Sequence, residues 1–460
     1  MIKKYSVSWF TERGIIGFKN WLLQNLPAFL VLWLLRNFLV RSEYLLKRES
    51  IKFINFCSDA YGEGNVNKCR RMLTIWIYLL DRNFPANYFN LLSDSVRSTI
   101  NNPKVRYLVS DTILKATKRL STPLFDASGW YQLSRGLNSL GYCRAAWVAR
   151  ERSIDLSILD ITVVGGSDTS VLRGIQAHLE RRDARQLSRL LMEFRNQLSD
   201  KNFWLIKDGL SLLNGDCHRN KDDGTLRKLN ADLFKKLILD RSVAIVGPGV
   251  INAEYGSEID EFDTVVRLKF IGKDMLGEQK LYGSRTDISF ISAIGAFKSV
   301  ESSSIDGLAS VALILSISSP FEIIAFTPIY ELEYENFLYR TEPISGIHVL
   351  LAVLRGSPNK LKLFGFDFYT NLSMYSKKMI NFYEYSSWKF GAQNMLMKDG
   401  VVLKHAYAAT FALHDQVSNF CFSQNLYKAG LFDIEPYGKS ILELTPYQYV
   451  ERLEEMLGDW

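Results

Sequence analysis

Apolar residues recur at every third or fourth position from about residue 45 to 213, where glycine and proline are sparse. Two clear examples are the run Leu172, Ile175 and Leu179 and the pair Leu187 and Leu191. This spacing places apolar side chains on one face of a helix. The pattern therefore predicts a helical domain over residues 45–213.

Within this helical region, the stretch 129–156 resembles one tetratricopeptide helix pair. It carries Trp130, Gly141, Ala145 and Ala149, and the small alanines would let two helices approach closely. The sequence contains no clean second copy at a period of 34 residues, so the domain is predicted to be helical and repeat-like at most. Its many arginines are typical of a solvated face, with a lipid-binding or acceptor-binding surface as the alternative.

A second pattern begins after the polar run at 214–223, which contains Asn, Asp, Lys and Arg and predicts a linker over 214–226. Short apolar runs rich in β-branched residues now alternate with helical stretches. This alternation predicts an α/β domain over 227–460 with a mostly parallel sheet. The predicted strands are Val243–Val246, Thr264–Leu268, Ile288–Ile291, Val311–Ile317, Ile323–Phe326 and Leu361–Phe364.

The first 44 residues carry a different signal, an apolar segment at 14–40 that is flanked by lysine and arginine and contains tryptophan. Its densest part, 21–35, is shorter than the roughly 20 residues that a spanning helix needs. Basic flanks and tryptophan favour a helix lying in the interface of an anionic membrane. A buried core helix and a single-pass signal anchor are the alternatives.

Composition and charge narrow the class of protein. The 460 residues are 47% hydrophobic and 23% charged, which excludes a disordered chain. The net charge of +7 favours anionic partners. The five cysteines are scattered, without a CxxC pattern or a Cys/His cluster, so neither a zinc site nor a disulfide framework is expected. A reducing compartment is the simplest interpretation.

Three blocks of the second half have residue types suited to chemistry. In the first, a hydrophobic strand leads into Gly247, Pro248 and Gly249, a pattern typical of a nucleotide-binding loop. In the second, Ser345 is predicted to cap a helix over Ile347–Leu354 that Gly346 opens, and a helix N-terminus can hold a phosphate or carboxylate. A capped core helix is the alternative.

The third block places two of the five histidines, His405 and His414, nine residues apart. Asp415 and a long predicted helix follow His414, so the imidazole is expected near a helix start. Histidine suits general-base work because its ordinary pKa lies near working pH, although a lone histidine is more often structural.

In this order and spacing, the three blocks resemble the sialyltransferases of glycosyltransferase family 29 over roughly residues 240–440. The long sialylmotif is similar to 244–247, 255–260 and, above all, the Gly-Ser-Arg-Thr run at 283–286. The short motif is similar to Pro343, Ser345, Gly346 and 361–366, and the very short motif to His414 and Asp415. The resemblance implies a Rossmann-like, modified GT-A fold and a donor activated with cytidine monophosphate (CMP).

The resemblance also implies roles for individual residues. His414 would be the general base, with His405 and Tyr407 the nearest match to a His-Tyr pair that assists the leaving phosphate. Ser345 and Gly346 would hold the donor's phosphate or carboxylate. The remaining donor-binding candidates are Gly247, Pro248, Gly249, Asn252 and Arg267.

Some family features are missing from the chain. The family has asparagines where this sequence has Pro248 and Lys269, and a glutamate near Asn419. Its disulfide between the long and short motifs is absent, which favours a bacterial-type enzyme that faces the cytosol. No Asp-x-Asp triplet occurs, so we expect a mechanism with neither metal nor cofactor.

Together these features predict an inverting glycosyltransferase that moves sialic acid or a Kdo-type sugar from a CMP-activated donor to a surface glycan or glycolipid. The enzyme would be peripheral to the inner face of the cell membrane, and no nucleic-acid partner is expected. Two alternatives stay open: a non-catalytic membrane scaffold with a relic transferase domain, and a transferase that uses a UDP- or GDP-sugar.

Overall fold

The computed structural model describes residues 110–163 with short gaps, 167–215, 230–268, 278–291, 310–316, 327–332, 337–371, 397–398, 401–402 and 414–458. The apolar segment at 14–40, His405, Tyr407 and the predicted strand Ile323–Phe326 lie outside these residues. Among the described helices, none is long and apolar enough to cross a membrane.

The contacts divide the chain into two compact units, Met1–Ala149 with Gly458–Trp460, and Arg150–Leu457. In the first unit, helix α1 (Ala127–Ser139) buries Trp130, Leu133 and Leu137. Gly141 then turns the chain with a positive φ of 82° into helix α2 (Cys143–Val163), whose later residues belong to the second unit. Two consecutive helices thus occupy the stretch that resembles a tetratricopeptide pair.

Three more helices precede the sheet in the second unit: α3 (Asp168–Glu180), α4 (Ala184–Glu193) and α5 (Asp200–Leu213). Gly174 lets α3 pack closely on α2, since a Cβ there would lie 2.7 Å from Ile161 Cβ. These helices and the sheet belong to the same compact unit, Arg150–Leu457. The linker over 214–226 and the domain boundary there stay predictions.

The second unit is an α/β structure around a seven-stranded sheet in which every neighbouring pair of strands is parallel. The strands are β1 (Ser242–Val246), β2 (Thr264–Leu268), β3 (Ile288–Ile291), β4 (Leu313–Ser316), β5 (Ile329–Glu331), β6 (Lys360–Phe364) and β9 (Asp433–Ile434). Two further short strands, β7 (Met397–Lys398) and β8 (Val401–Val402), pair with each other.

The remaining helices are α6 (Ala231–Ile238), α7 (Gly256–Glu261), α8 (Gln279–Tyr282), α9 (Ser345–Arg355), α10 (Gln416–Lys428), α11 (Pro436–Leu442) and α12 (Pro446–Gly458). One face of the sheet packs against α7 through a core that contains Val246, Ile259, Phe262 and Phe364. This burial explains why β1, β3 and β4 are mainly apolar runs, whereas β6 alternates lysine with leucine.

The predicted α/β class and the mostly parallel sheet are confirmed. The strand order β5-β4-β3-β2-β1-β6-β9 is compatible with a Rossmann-like fold. The chain adds strands from β1 outwards to β5, and then returns to place β6 on the other side of β1. The order in which strands are added changes side between β1 and β6, and open parallel sheets bind ligands in a crevice at the carboxyl ends of the two strands at such a point. We call the region at the carboxyl ends of β1 and β6 the crevice.

Candidate functional site

The loop that follows β1 contains the predicted glycines and lies at this crevice. Gly247 N–H donates to the carbonyl of Phe364 at 2.7 Å, and Gly249 N–H donates to the carbonyl of Gly365 at 3.2 Å. A Cβ at Gly247 would lie 2.5 Å from the Gly365 carbonyl oxygen, and one at Gly249 would lie 2.6 Å from the same atom. Glycine is therefore required here because two backbones pass at contact distance.

This packing gives the glycines a structural reason that is independent of any ligand. The N–H groups of Gly247 and Gly249 are used within the fold, and Pro248 has no N–H to offer. Asn252, farther along the loop, is exposed. Contact between these four residues and a nucleotide stays a prediction, and it would have to involve groups other than the two glycine N–H donors.

Arg267 lies in β2 with 4% of its surface exposed, and its guanidinium is engaged within the protein. It donates to the carbonyls of Tyr282 and Arg285 at 2.7 and 2.8 Å and to Thr286 Oγ1 at 2.9 Å. Burial lowers the pKa of Arg267 to about 10. The arginine holds the turn at 283–286 against the sheet, which is a sufficient reason for its presence.

The Gly-Ser-Arg-Thr run at 283–286 forms that turn. Gly283 has a φ of 71°, in the left-handed region that favours glycine. Arg285 donates to the carbonyls of Asp260 and Phe262 at 2.8 and 2.7 Å, close to the end of α7. Burial alone would raise the pKa of Asp260. The backbone N–H groups of Arg285 and Ser284 donate to its carboxylate and outweigh the effect of burial, so the pKa is lowered. This motif therefore locks α7 to the strands behind the crevice.

Helix α9 begins beside the same crevice, at Ser345. The N-cap residue is Ile344, so Ser345 is the first helical residue and not the cap, and the predicted start at Ile347 is two residues late. Ile344 makes no side-chain capping hydrogen bond to the first turn. A Cβ at Gly346 would lie 2.7 Å from Phe366 Cε1, which shows how closely the helix start approaches the residues after β6. The positive end of the helix dipole thus faces the crevice region without a side-chain cap.

His348 lies one turn into α9, and the sequence patterns gave it no role. Its ring hydrogen bonds to the carbonyl of Pro343. Burial, together with the charges of Arg355 and His414, lowers the pKa of His348 to about 4. The imidazole is therefore neutral at physiological pH. The available signal was a histidine within an otherwise apolar helix.

His414 is half-buried and lies immediately before the N-cap of α10. Asp415 is that cap, since its Oδ1 accepts from the N–H groups of Val417 and Ser418 at 3.1 Å each. The expectation that His414 lies near a helix start is confirmed. The charge of His414 is one of the causes that lower the pKa of His348.

Asn419 joins the start of α10 to the segment before α9. Its Nδ2 donates to the carbonyl of Asp415 at 2.9 Å, and its Oδ1 accepts from the N–H of Ile344 at 2.8 Å. Asparagine can serve both partners because its amide carries a donor and an acceptor. A single side chain therefore connects the His-Asp pair to the start of the helix that carries Ser345 and Gly346.

Two buried carboxyl groups at the carboxyl ends of β6 and β9 were missed by sequence reasoning. The Asp367 carboxyl carbon would lie 3.6 Å from a Cβ placed on Gly249, and burial raises the pKa of Asp367 to about 6. Glu435 caps α11 by accepting from the N–H of Gly438 at 2.7 Å, and burial raises its pKa too. For Asp367 the available signal was an acidic residue shortly after the predicted strand Leu361–Phe364, whereas Glu435 follows a strand that was not predicted.

These contacts connect the three sequence blocks around one region. The loop of Gly247 packs on Gly365, Phe366 packs on Gly346, and Asn419 joins Ile344 to Asp415. The described residues contain no group of histidine, cysteine, aspartate and glutamate side chains that could hold a metal ion. The arrangement offers an uncapped helix start for an anion and a half-buried imidazole for proton transfer.

In comparisons with known proteins, no family model matches the chain, and neither a curated protein nor a solved structure is significantly similar to it.

Proposed function

We propose that the chain is an inverting glycosyltransferase of the sialyltransferase type, with a modified GT-A fold, that uses a CMP-activated sialic acid or Kdo-type donor. The observation that carries the proposal is the convergence of the three motifs on the crevice between β1 and β6. Gly247, Ser345 and His414 are separated by about 170 residues of sequence, yet short contacts connect the segments that carry them.

The donor would place its anionic groups at the start of α9. The N–H groups of the first helical turn and the helix dipole favour a phosphate or carboxylate, and the N-cap residue Ile344 makes no side-chain hydrogen bond to them. Ser345 is partly exposed there and can donate its hydroxyl. This gives the leaving phosphate a stabilising partner without a metal ion.

His414 would act as the general base. It would take the proton from the acceptor hydroxyl while the hydroxyl oxygen attacks the anomeric carbon from the face opposite the phosphate. The bond between the anomeric carbon and the phosphate oxygen breaks, CMP leaves with the electron pair, and the configuration inverts. His348 is neutral at physiological pH, so it does not oppose the positive charge that His414 gains.

The acceptor we propose is a lipid-linked or nascent surface glycan. This part of the proposal rests on the apolar, basic-flanked segment at 14–40 and on the net charge of +7, both of which suit an anionic membrane surface. The enzyme would then work as a peripheral protein at the inner face of the cell membrane.

The test is turnover of purified protein with CMP-sialic acid and CMP-Kdo, scored as release of CMP and transfer of the sugar. We expect His414→Gln to lower the rate by about 100-fold, the range typical of a lost general base, while CMP still binds. Binding of CMP by the variant serves as the folding control. Unchanged turnover in His414→Gln would remove the assigned base.

One observation favours the scaffold alternative. The glycine N–H groups after β1 are used by the fold, so the glycines do not by themselves indicate a nucleotide. A scaffold would bind none of CMP, UDP and GDP, and a transferase with a different donor would bind UDP or GDP in place of CMP. A nucleotide panel therefore separates the three possibilities.

A further inference from the structure

Arg150, in helix α2, is one of the largest fully buried side chains among the described residues, with 1% of its surface exposed. Its guanidinium donates from Nε to Asp415 Oδ2 at 2.5 Å and from Nη2 to Ser418 Oγ at 2.6 Å. Nη2 also pairs with the Glu180 carboxylate, and Nη1 lies 3.4 Å from Glu151 Oε1. The cluster therefore joins α2 and α3 to the start of α10.

Arg150 is the counter-charge of two carboxylates in this cluster, Glu180 and Asp415. A third carboxylate, Glu151, lies beside Arg150 and also pairs with Arg181. Burial alone would lower the pKa of Arg150, but the carboxylates raise it well above its usual value. Burial raises the pKa of Glu180. Removal of the cation would leave buried carboxylates without a counter-charge, which is strongly destabilising.

Asp415 divides its two oxygens between two tasks. Oδ1 caps α10, and Oδ2 receives Arg150. Its backbone N–H donates to Thr341 Oγ1 at 3.1 Å, four residues before Ser345. Asp415 cannot turn without breaking one of these bonds, and the planar peptide bond that joins it to His414 passes this restraint to the backbone of His414.

We propose that Arg150, from the helical part of the chain, is a positioning residue that fixes His414 through Asp415. The inference rests on the proposed function of His414 as a general base. It assigns the helices before the sheet a part in the chemistry: they supply the buried cation that orients the His-Asp pair. Arginine suits this role better than lysine, because its planar fork reaches Asp415, Glu180 and Ser418 together.

Two substitutions test the inference without removing the fold. Arg150→Lys keeps the charge and loses the fork, and Asp415→Asn keeps an N-cap of equal quality while it loses the charged bond to Arg150. We expect each to lower kcat by about 10- to 100-fold, as a displacement of about 1 Å can. The KM for the CMP-sugar should change by less than about threefold, because the donor binds at α9.

Matched controls come from the same molecule. Arg355→Lys changes a partly buried arginine outside the Arg150 cluster, and Asp208→Asn changes the carboxylate of α5 that pairs with Arg355. Both should leave kcat within about twofold. If these controls lose kcat as much as Arg150→Lys and Asp415→Asn do, the effect is general destabilisation and the inference is wrong.

A second readout is independent of turnover. In protein labelled with ¹³C-histidine, the His414 ring signal is assigned by its loss in His414→Gln. This signal should move in Arg150→Lys and Asp415→Asn and stay unchanged in Asp208→Asn and Arg355→Lys. If wild-type protein turns over no CMP-sugar, the proposed function fails, and the ring signal still decides the positioning role. An unmoved His414 signal in Arg150→Lys and Asp415→Asn overturns the inference.

Discussion

Glycine at position 247 is the residue on which the geometry of the crevice depends most directly. A Cβ there would meet the backbone carbonyl oxygen of Gly365 at 2.5 Å, and backbone cannot move aside as a side-chain end can. We expect Gly247→Ala to lower the free energy of unfolding by about 1–3 kcal/mol through overpacking. Urea denaturation monitored by circular dichroism measures this difference.

The matched control for this substitution is Gly209→Ala in α5. Both glycines are buried, but the nearest neighbour of a Cβ at Gly209 is Phe337 Cδ2 at an ordinary 3.5 Å. Alanine is also the better helix former by about 1 kcal/mol. Gly209→Ala should therefore be neutral or stabilising, and equal losses in both variants would contradict the packing that we describe around Gly365.

His348 makes the stability depend on pH. Its pKa is about 4 in the folded protein and has an ordinary value of 6.5, so the unfolded state binds more protons between these two values. The contribution of His348 to the free energy of unfolding is fully present above pH 6.5 and is lost as the pH falls towards 4. The full loss amounts to about 3 kcal/mol. Comparing the free energies of unfolding of wild type and His348→Gln at pH 7.5 and pH 4.5 measures it.

The difference between the two proteins isolates His348 from the other groups that titrate in this range. We expect the wild type to lose more stability than His348→Gln as the pH is lowered. Parallel pH profiles for the two proteins would show that the imidazole is not held neutral by its burial.

At the scale of elements, the contact between α9 and α10 depends on Asn419. Asn419→Ala removes the acceptor for the Ile344 N–H and the donor to the Asp415 carbonyl. We expect a loss of about 2 kcal/mol for the buried groups left without partners, and faster amide exchange of Ile344. Asn419→Asp keeps the side-chain oxygen that accepts from the Ile344 N–H and loses the donor, so amide exchange of Ile344 should stay slow in this variant. Fast exchange in both variants would contradict the assigned bond.

The strands show what the sequence could predict about the fold. Runs of β-branched residues placed β2 and β3 correctly and β1 within one residue, because buried parallel strands are mainly apolar. The strand β6 was also placed within one residue, although it contains Lys360 and Lys362. The strand β9 has two residues, Asp433 and Ile434, and joins the sheet only through its pairing with β6, so no local pattern predicts it. The start of α9 was misplaced because Ile344, which is not a capping residue, occupies the N-cap.

The candidate site was predicted less completely than the fold. The motif residues Gly247, Ser345 and His414 could be found from local sequence, since each follows a strand or opens a helix. Asp367, His348 and Arg150 could not, because their significance depends on burial and on partners far away in sequence. The glycines carried a second ambiguity, as close backbone packing and ligand approach select the same residue type.

At the scale of the whole molecule, the helices before the sheet are integral to the unit that holds the site. Phe337 packs on Phe422 with ring centroids 4.8 Å apart and also meets α5 at Gly209. Tyr339 Oη lies 2.6 Å from Ser153 Oγ of α2. We expect a fragment of residues 227–460 to lack cooperative unfolding and a native near-ultraviolet circular dichroism spectrum. A fragment that unfolds cooperatively would show that these contacts are dispensable.

The central claim is that the crevice binds a CMP-activated donor, and nucleotide-dependent thermal unfolding of the full-length protein tests it most directly. A ligand at 100 times its Kd stabilises the folded state by about 2.7 kcal/mol. We predict that CMP raises the Tm by a few degrees while UDP and GDP leave it unchanged. A Tm that does not respond to millimolar CMP, or that rises with UDP or GDP in its place, would contradict the account.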